Sequence, residues 1–434
     1  MVNSKRSLGV LAMVALFGSG IAAQAPAAKP GADKAMGLFP VTTQSSLVIR
    51  GIPGQIVVTA KPTRELRYTS KAKDRSGGER PIVVVAAETT VTMTSPAGAA
   101  LPDGILRVEA PASFSVRVEG HGGTVVVDGF AGAVAIVGNG TVVRAQALTG
   151  PLDAGVEGGS LSLANVGGAV TARVGASAAF SATDLRAGLD LNSRDATFKV
   201  QGLAGACRLE ARGGSGELTG LTGGGELRLT ETTLRLVGGK GEITVTSNAP
   251  VDFANMTASM RFEMDGGTLH GKGNQGPVRI RSRRTEVKLE GITGEVDLDT
   301  TGAGVVVQKI TGPVTAIVYG GDAQLLEIQG AVNLDIGGGN AEVAWTAITG
   351  DKDSLLKSNN GDLTVRFPPN AACRVTARSS SGRITSDLPT LKASADATEL
   401  QGALGQGQQH PHIEIEADGN VHLSTGAKSP AAPS

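Results

Sequence analysis

The chain has 434 residues, 62 of them Gly and only 3% aromatic, and its 40 basic and 40 acidic side chains balance to a formal charge of zero. Glycine at about twice its ordinary share, without a triplet period, excludes a collagen-like chain. The missing basic excess removes the electrostatic footprint expected for nucleic acid or anionic lipid.

In chain order, residues 1–25 read as a secretory signal peptide. Lys5 and Arg6 form a positive start, Leu8 to Phe17 an apolar run, and Ala22, Ala23 and Ala25 the small residues of a cleavage region. Pro26 follows Ala25 and disfavours cleavage at that bond, so Ala22 and Ala23 stand beside it as cleavage positions. A membrane anchor is the alternative, but the run falls short of the about 20 residues that span a bilayer, and no later stretch reaches that length. We therefore expect an exported chain with no integral membrane segment after signal cleavage. Residues 26–38, rich in Ala, Pro, Lys and Gly, read as a flexible lead-in. An N-terminal β region or cap follows over 39–129.

From residue 130 to 350 a repeat takes over. Phe130, Leu148, Val166, Leu185, Leu203, Leu221, Gly239, Met256, Asn274, Ile292, Ile310 and Ile328 form a column spaced by 18, with slips to 17 and 19. Four and six residues into each unit stand further apolar residues, such as Val314 and Ala316, and a second apolar pair recurs about nine residues later, such as Val305 and Val307. Apolar residues two apart are the strand signature, so each unit holds two short strands joined by Gly-rich turns. Units that bury apolar faces only against their neighbours are coils of a solenoid. The fold class expected is all-β: a parallel, right-handed β-helix-like solenoid with two main strands per coil and irregular β caps at both ends. Twelve such coils at about 4.8 Å each make a rod of roughly 58 Å.

Outward positions test this reading. Asp190, Arg208 and Glu226 are 18 apart, as are Glu210 and Arg228, and Glu263, Arg281 and Asp299. Stacked in register they become alternating charge ladders, which Arg261 beside Arg279 interrupts. By the same logic the basic run at 279–288 is a solvated structural face rather than a nucleic-acid patch. A left-handed β-helix would place inward residues every six, calcium β-rolls would repeat an Asp in each turn, and ice-binding solenoids would carry an outward Thr ladder; none of these patterns is present.

The C-terminal β region over 351–425 loses the rhythm, as terminal repeats that close an open core do, and 426–434 reads as a disordered tail. Asn360-Gly361-Asp362, Pro368-Pro369, Ser381-Gly382-Arg383 and Asp418-Gly419-Asn420 mark its turns. With these motifs, residues 105–425 resemble the exported bacterial β-repeat proteins grouped as a putative-adhesin family of unknown function. The resemblance implies an exported β-solenoid with an adhesive or scaffolding role, and supplies no catalytic residues.

No nucleophile elbow, His-Glu-x-x-His pair or phosphate-binding loop occurs, and Trp345, Tyr68, Tyr319 and nine Phe are few for a sugar-cleaving cleft. The expectation is no enzyme and no cofactor. The metal candidates are His410, His412 and His422, because His-Pro-His beside a neighbouring-strand His can offer ligands. Cys207 and Cys373 invite a disulfide in an exported chain. About nine rungs, near 40 Å, would separate them, against a Cα limit of about 7 Å, so two buried free thiols are expected. The function expected is a non-enzymatic adhesin or envelope scaffold. A periplasmic accessory or sensor protein of envelope signalling and a carbohydrate-active β-helix enzyme are the alternatives. The partner is an unknown envelope or extracellular molecule, not nucleic acid, and the oligomeric state is left open.

Overall fold

The computed structural model describes residues 36–41, 45–72, 80–96, 103–406 and 411–426. The expected signal peptide lies outside the described residues, as do the tail from 427 and His410. The described chain is all β, with 36 strands and no helix. Residues 36–38, placed by sequence in the lead-in, open the strand Met36–Pro40, which runs antiparallel to Glu65–Ala72.

Strands repeat every 18 residues or so and pair in parallel with the turn before and the turn after, making a solenoid of about 14 turns. Val296–Thr301, Val314–Tyr319 and Val332–Gly337 stack in one sheet, with Val296 facing Val314 and Val314 facing Val332. Val305–Thr311, Ala323–Gln329 and Ala341–Ala347 stack in the second. Each strand alternates buried and exposed residues, because successive side chains point to opposite faces of the pleat. Val314 and Ala316 are buried and Thr315 is half-exposed, as their order predicts.

The column found at 18-residue spacing is buried throughout. Its apolar members form part of one core running along the rod, and its exceptions are locally resolved. Asn274 sits in that column, and its amide accepts from Ala258 N (3.3 Å) and donates to the carbonyls of Ala258 (3.0 Å) and Gly276 (2.9 Å). A buried amide is tolerated there because the backbone saturates it. At Gly239 the space a Cβ would need is filled by Met256 Cε, 2.5 Å away. Phe198 fills the room at Gly216 in the same way, and Phe253 the room at Gly271. A large side chain on one turn thus answers a glycine on the neighbouring turn, which keeps the interior filled.

Glycine has two distinct tasks in the turns. Gly312 has φ of +144° and a Cβ on it would come 2.3 Å from Gly294 O; Gly276, Gly294 and Gly330 repeat that conformation and crowding at the same corner. Gly321 stands at the opposite turn, where a Cβ would meet Ala303 O at 2.3 Å. The nine-residue spacing of Gly312, Gly321 and Gly330 therefore records two corners of one coil at which stacked backbones touch.

The two ends hold the main surprise, since the flanks continue the stack but out of chain order. Ser46–Arg50 pairs in parallel with Thr90–Thr94 on one side and Ser115–His121 on the other. The turn made by 46–61 is thus inserted beneath the outermost turn, which comes later in sequence. At the other end, His412–Ala417 lies between Ser354–Asn359 and Cys373–Ser379, and Val421–Thr425 lies between Leu363–Phe367 and Ile384–Ser386. All antiparallel pairings among the described residues fall at these two ends. There they cover strand edges that would otherwise template further pairing. The caps are therefore ordered turns, and they lost the 18-residue rhythm because each interposed segment is distant in sequence.

Candidate functional surface

The outward columns stack as their spacing requires. Asp190 faces Arg208, Arg208 faces Glu226, Glu210 faces Arg228, and Arg281 stands between Glu263 and Asp299. Arg261 faces Arg279, the predicted interruption. The ion pairs only partly follow the ladders. Arg212 bonds Glu210 and Arg228 bonds Glu226, each two residues away on its own strand. Same-face neighbours along a strand are about 7 Å apart, so a long guanidinium reaches either partner. Cross-turn pairs do form elsewhere, as in Arg279–Asp297 at 3.0 Å and Lys199–Glu217 at 3.1 Å.

Three ion pairs shift their groups, one of them Lys357–Glu416 at 2.9 Å, where the carboxylate holds the ammonium above its ordinary range. The Arg284 guanidinium, bonded to Asp265 at 2.7 Å, holds that carboxyl below its ordinary range. Lys309, 2.8 Å from Glu290, does the same there, with burial opposing and Lys272 adding a smaller pull. Surface recesses are lined by such columns, one by Arg235, Asp252, Thr268, His270, Lys288 and Glu290 and another by Glu263, Asp265, Arg281, Arg283, Asp299 and Thr301. Acids and bases alternate in both, so neither concentrates one sign of charge.

Of the histidines named from sequence, His412 and His422 fall on different strands, His412–Ala417 and Val421–Thr425, which pair with different neighbours. His412 Nε2 lies 3.0 Å from Thr376 Oγ1, and its backbone N–H donates to Asp353 at 2.7 Å. His422 Nδ1 lies 3.1 Å from Thr385 Oγ1, and Nε2 is 3.6 Å from Asp387. Among the described residues no group of three or more His, Cys, Asp or Glu is placed to hold a metal ion.

Cys207 and Cys373 are both free and buried. Burial, with the Asp190 charge adding to it, pushes the Cys207 thiol up to about 12, and burial pushes Cys373 up to about 11. Ten pairing steps separate their turns, roughly 48 Å at about 4.8 Å each. The extra step over the expected nine is the interposed strand His412–Ala417.

Trp345 is buried, donating Nε1–H to Gly330 O at 2.9 Å and stacking on Phe367. Tyr319, at 44% exposure, is the aromatic left largely in solvent among the described residues. It ends the strand Val314–Tyr319 on the outward face of the first sheet, facing Thr301 on one side and Gly337 on the other. Its ring lies across Gly337, where a Cβ would come within 2.6 Å of Cδ1. Sequence counted Tyr319 only among scarce aromatics; the signal that could have marked it is the glycine 18 residues on.

No family model matches the chain, and no curated protein matches it. The structure of a putative cell adhesion protein from Clostridium sporogenes aligns with 90% of this chain and 99% of its own, at 8% identity and a TM-score of 0.14. An overlap of that size fixes neither fold nor function. No helix among the described residues is long and apolar enough to cross a membrane.

Proposed function

We propose that the chain is an exported, non-enzymatic solenoid that works by surface contact, as an adhesin or envelope scaffold. The observation that carries this reading is the division of labour between the two sides of the sheets. The inward columns are a continuous apolar core, and the outward columns are extended lanes of mixed charge and amide on a rod. Repetitive stacking of this kind produces long binding surfaces rather than a single cleft. Both thiols are buried and held protonated, so neither Cys207 nor Cys373 is presented as a surface nucleophile. Export rests on the N-terminal residues 1–25, with their basic start, apolar run and small-residue cleavage region.

The deciding experiment is fractionation of tagged protein into cytoplasm, periplasm, outer surface and medium, combined with N-terminal sequencing. The expected result is a processed chain starting after Ala22, Ala23 or Ala25 and held at the outer surface. Recovery only as soluble periplasmic protein would sink the adhesive role.

A further inference from the structure

The exposed Tyr319 repeats, on the outside of the rod, an arrangement the interior uses for packing. Inside, Phe198 lies over Gly216 and Phe253 over Gly271, each ring occupying the room of the residue 18 positions on. Tyr319 lies over Gly337 by the same spacing, but it is 44% exposed. An aromatic held against a sheet while largely open to solvent is a preformed stacking platform.

Polar groups surround the platform on the neighbouring lanes. Asn359 lies on the turn beyond Gly337 in the same lane, and its Nδ2 donates to Asp335 Oδ1 at 3.4 Å. Lys357 stands in register with Asp335 and feels its charge, but its ammonium bonds Glu416 at 2.9 Å. Ile317, 37% exposed, borders the ring on its own strand and stands in register between Asp299 and Asp335. The patch thus combines one aromatic face, one small apolar shoulder and carboxylate and amide acceptors at the edge.

We infer that this patch binds a neutral pyranose sugar, with the ring's C–H face stacked on Tyr319 and its hydroxyls donating to Asp335 and Asn359. The inference rests on the adhesive reading and names its ligand class. Arg281 stands in register with Asp299 and Lys357 with Asp335, so the patch carries no excess of either sign to draw an ionic polysaccharide in place of a neutral one. A protein partner would need about 800 Å² on each side with several large anchors, and this face offers one aromatic. From Thr301 to Asn359 the lane spans three rungs, roughly 14 Å, the scale of a short saccharide.

Affinity electrophoresis of the exported chain in native gels containing laminarin, galactomannan or dextran tests this, with polygalacturonate as the anionic comparison. Retardation is expected in at least one neutral gel. Tyr319→Ala should weaken it roughly tenfold, the loss of one stacking contact. Tyr319→Trp should retain binding, and Gly337→Ala should weaken it by displacing the ring. The thermal midpoint of Tyr319→Ala should match the parent, since the ring contributes nothing to the core. Absence of retardation in every neutral gel, or equal retardation of parent and Tyr319→Ala, overturns the inference. A chain held at the cell surface but not retarded overturns the sugar site alone. Tyr319-dependent retardation of a chain found only in the soluble periplasm overturns adhesion and leaves the sugar site standing.

Discussion

At the corner before each inward column residue, the chain takes a left-handed residue: Ala147 (φ 53°), Asn165 (55°), Asp184 (56°), Gly202 (71°) and Gly220 (69°) in successive turns. For a residue with a Cβ this conformation costs on the order of 1 kcal/mol, less for Asn and Asp. Ala147 is exposed and has no compensating side-chain bond, so Ala147→Gly should raise stability by about 0.5–1 kcal/mol, read as an increased urea midpoint. The reverse holds at Gly312, where alanine meets both a positive φ and the Gly294 carbonyl. Gly312→Ala should destabilise by about 2–4 kcal/mol in the same measurement. Corner glycines were visible in the sequence, but which other residues stand left-handed was not, because Ala147, Lys309 (φ 58°) and Glu327 (φ 55°) carry no local mark of it.

The thiols belong to the residue scale too. A thiol whose folded pKa is raised stays protonated in the native state while the unfolded chain ionises above about pH 8.5–9. Each buried Cys should therefore lower stability as pH rises beyond 9, by about 1.4 kcal/mol per pH unit until its folded pKa, near 11 for Cys373 and 12 for Cys207. Replacing both with Ala or Ser should flatten this alkaline slope in pH-dependent unfolding. Native protein at pH 8 should also resist iodoacetamide, with both sites labelled after denaturation, as mass spectrometry would read.

Among elements, the strand-to-strand stack is built from backbone pairing and aliphatic columns, while exposed ion pairs add little. Arg212 and Glu210 are 66% and 44% exposed at their side chains, so Arg212→Ala should change stability by less than about 0.5 kcal/mol. Sequence periodicity identified which residues share a lane, since an 18-residue repeat and an in-register parallel stack are the same fact. It did not identify which charges bond, because a guanidinium chooses between a partner across the rung and one along its own strand. Tyr319 was missed for a related reason: its meaning depends on Gly337 beneath it and on the solvent above it.

For the whole molecule, the interposed end turns have the largest consequence. His412–Ala417 and Val421–Thr425 are clasped between earlier turns, so the last described strands are held on two sides. A chain truncated after residue 406 loses both strands and exposes the edges of Ser354–Asn359 and Leu363–Phe367. It should unfold near the C-terminal end at lower denaturant than the rest, reported by Trp345, the single tryptophan. It should also self-associate in size-exclusion chromatography, because open parallel edges recruit other strands. A monomer with the parent's Trp345 transition would show that the clasp contributes nothing.

The sequence by itself determined the 18-residue coil, its two strands, the inward columns and the outward lanes. Those follow from local alternation and from a repeat that each turn restates. Tertiary structure alone decided the order of turns at the ends and which left-handed corners carry side chains. It also decided which aromatic faces solvent. These depend on contacts between residues such as Ser46 and Thr90, or Ser354 and Ile413, 44 and 59 positions apart. No repeat encodes such separations, because a strand that slots between two others is recognised by the edges it meets rather than by its neighbours in the chain.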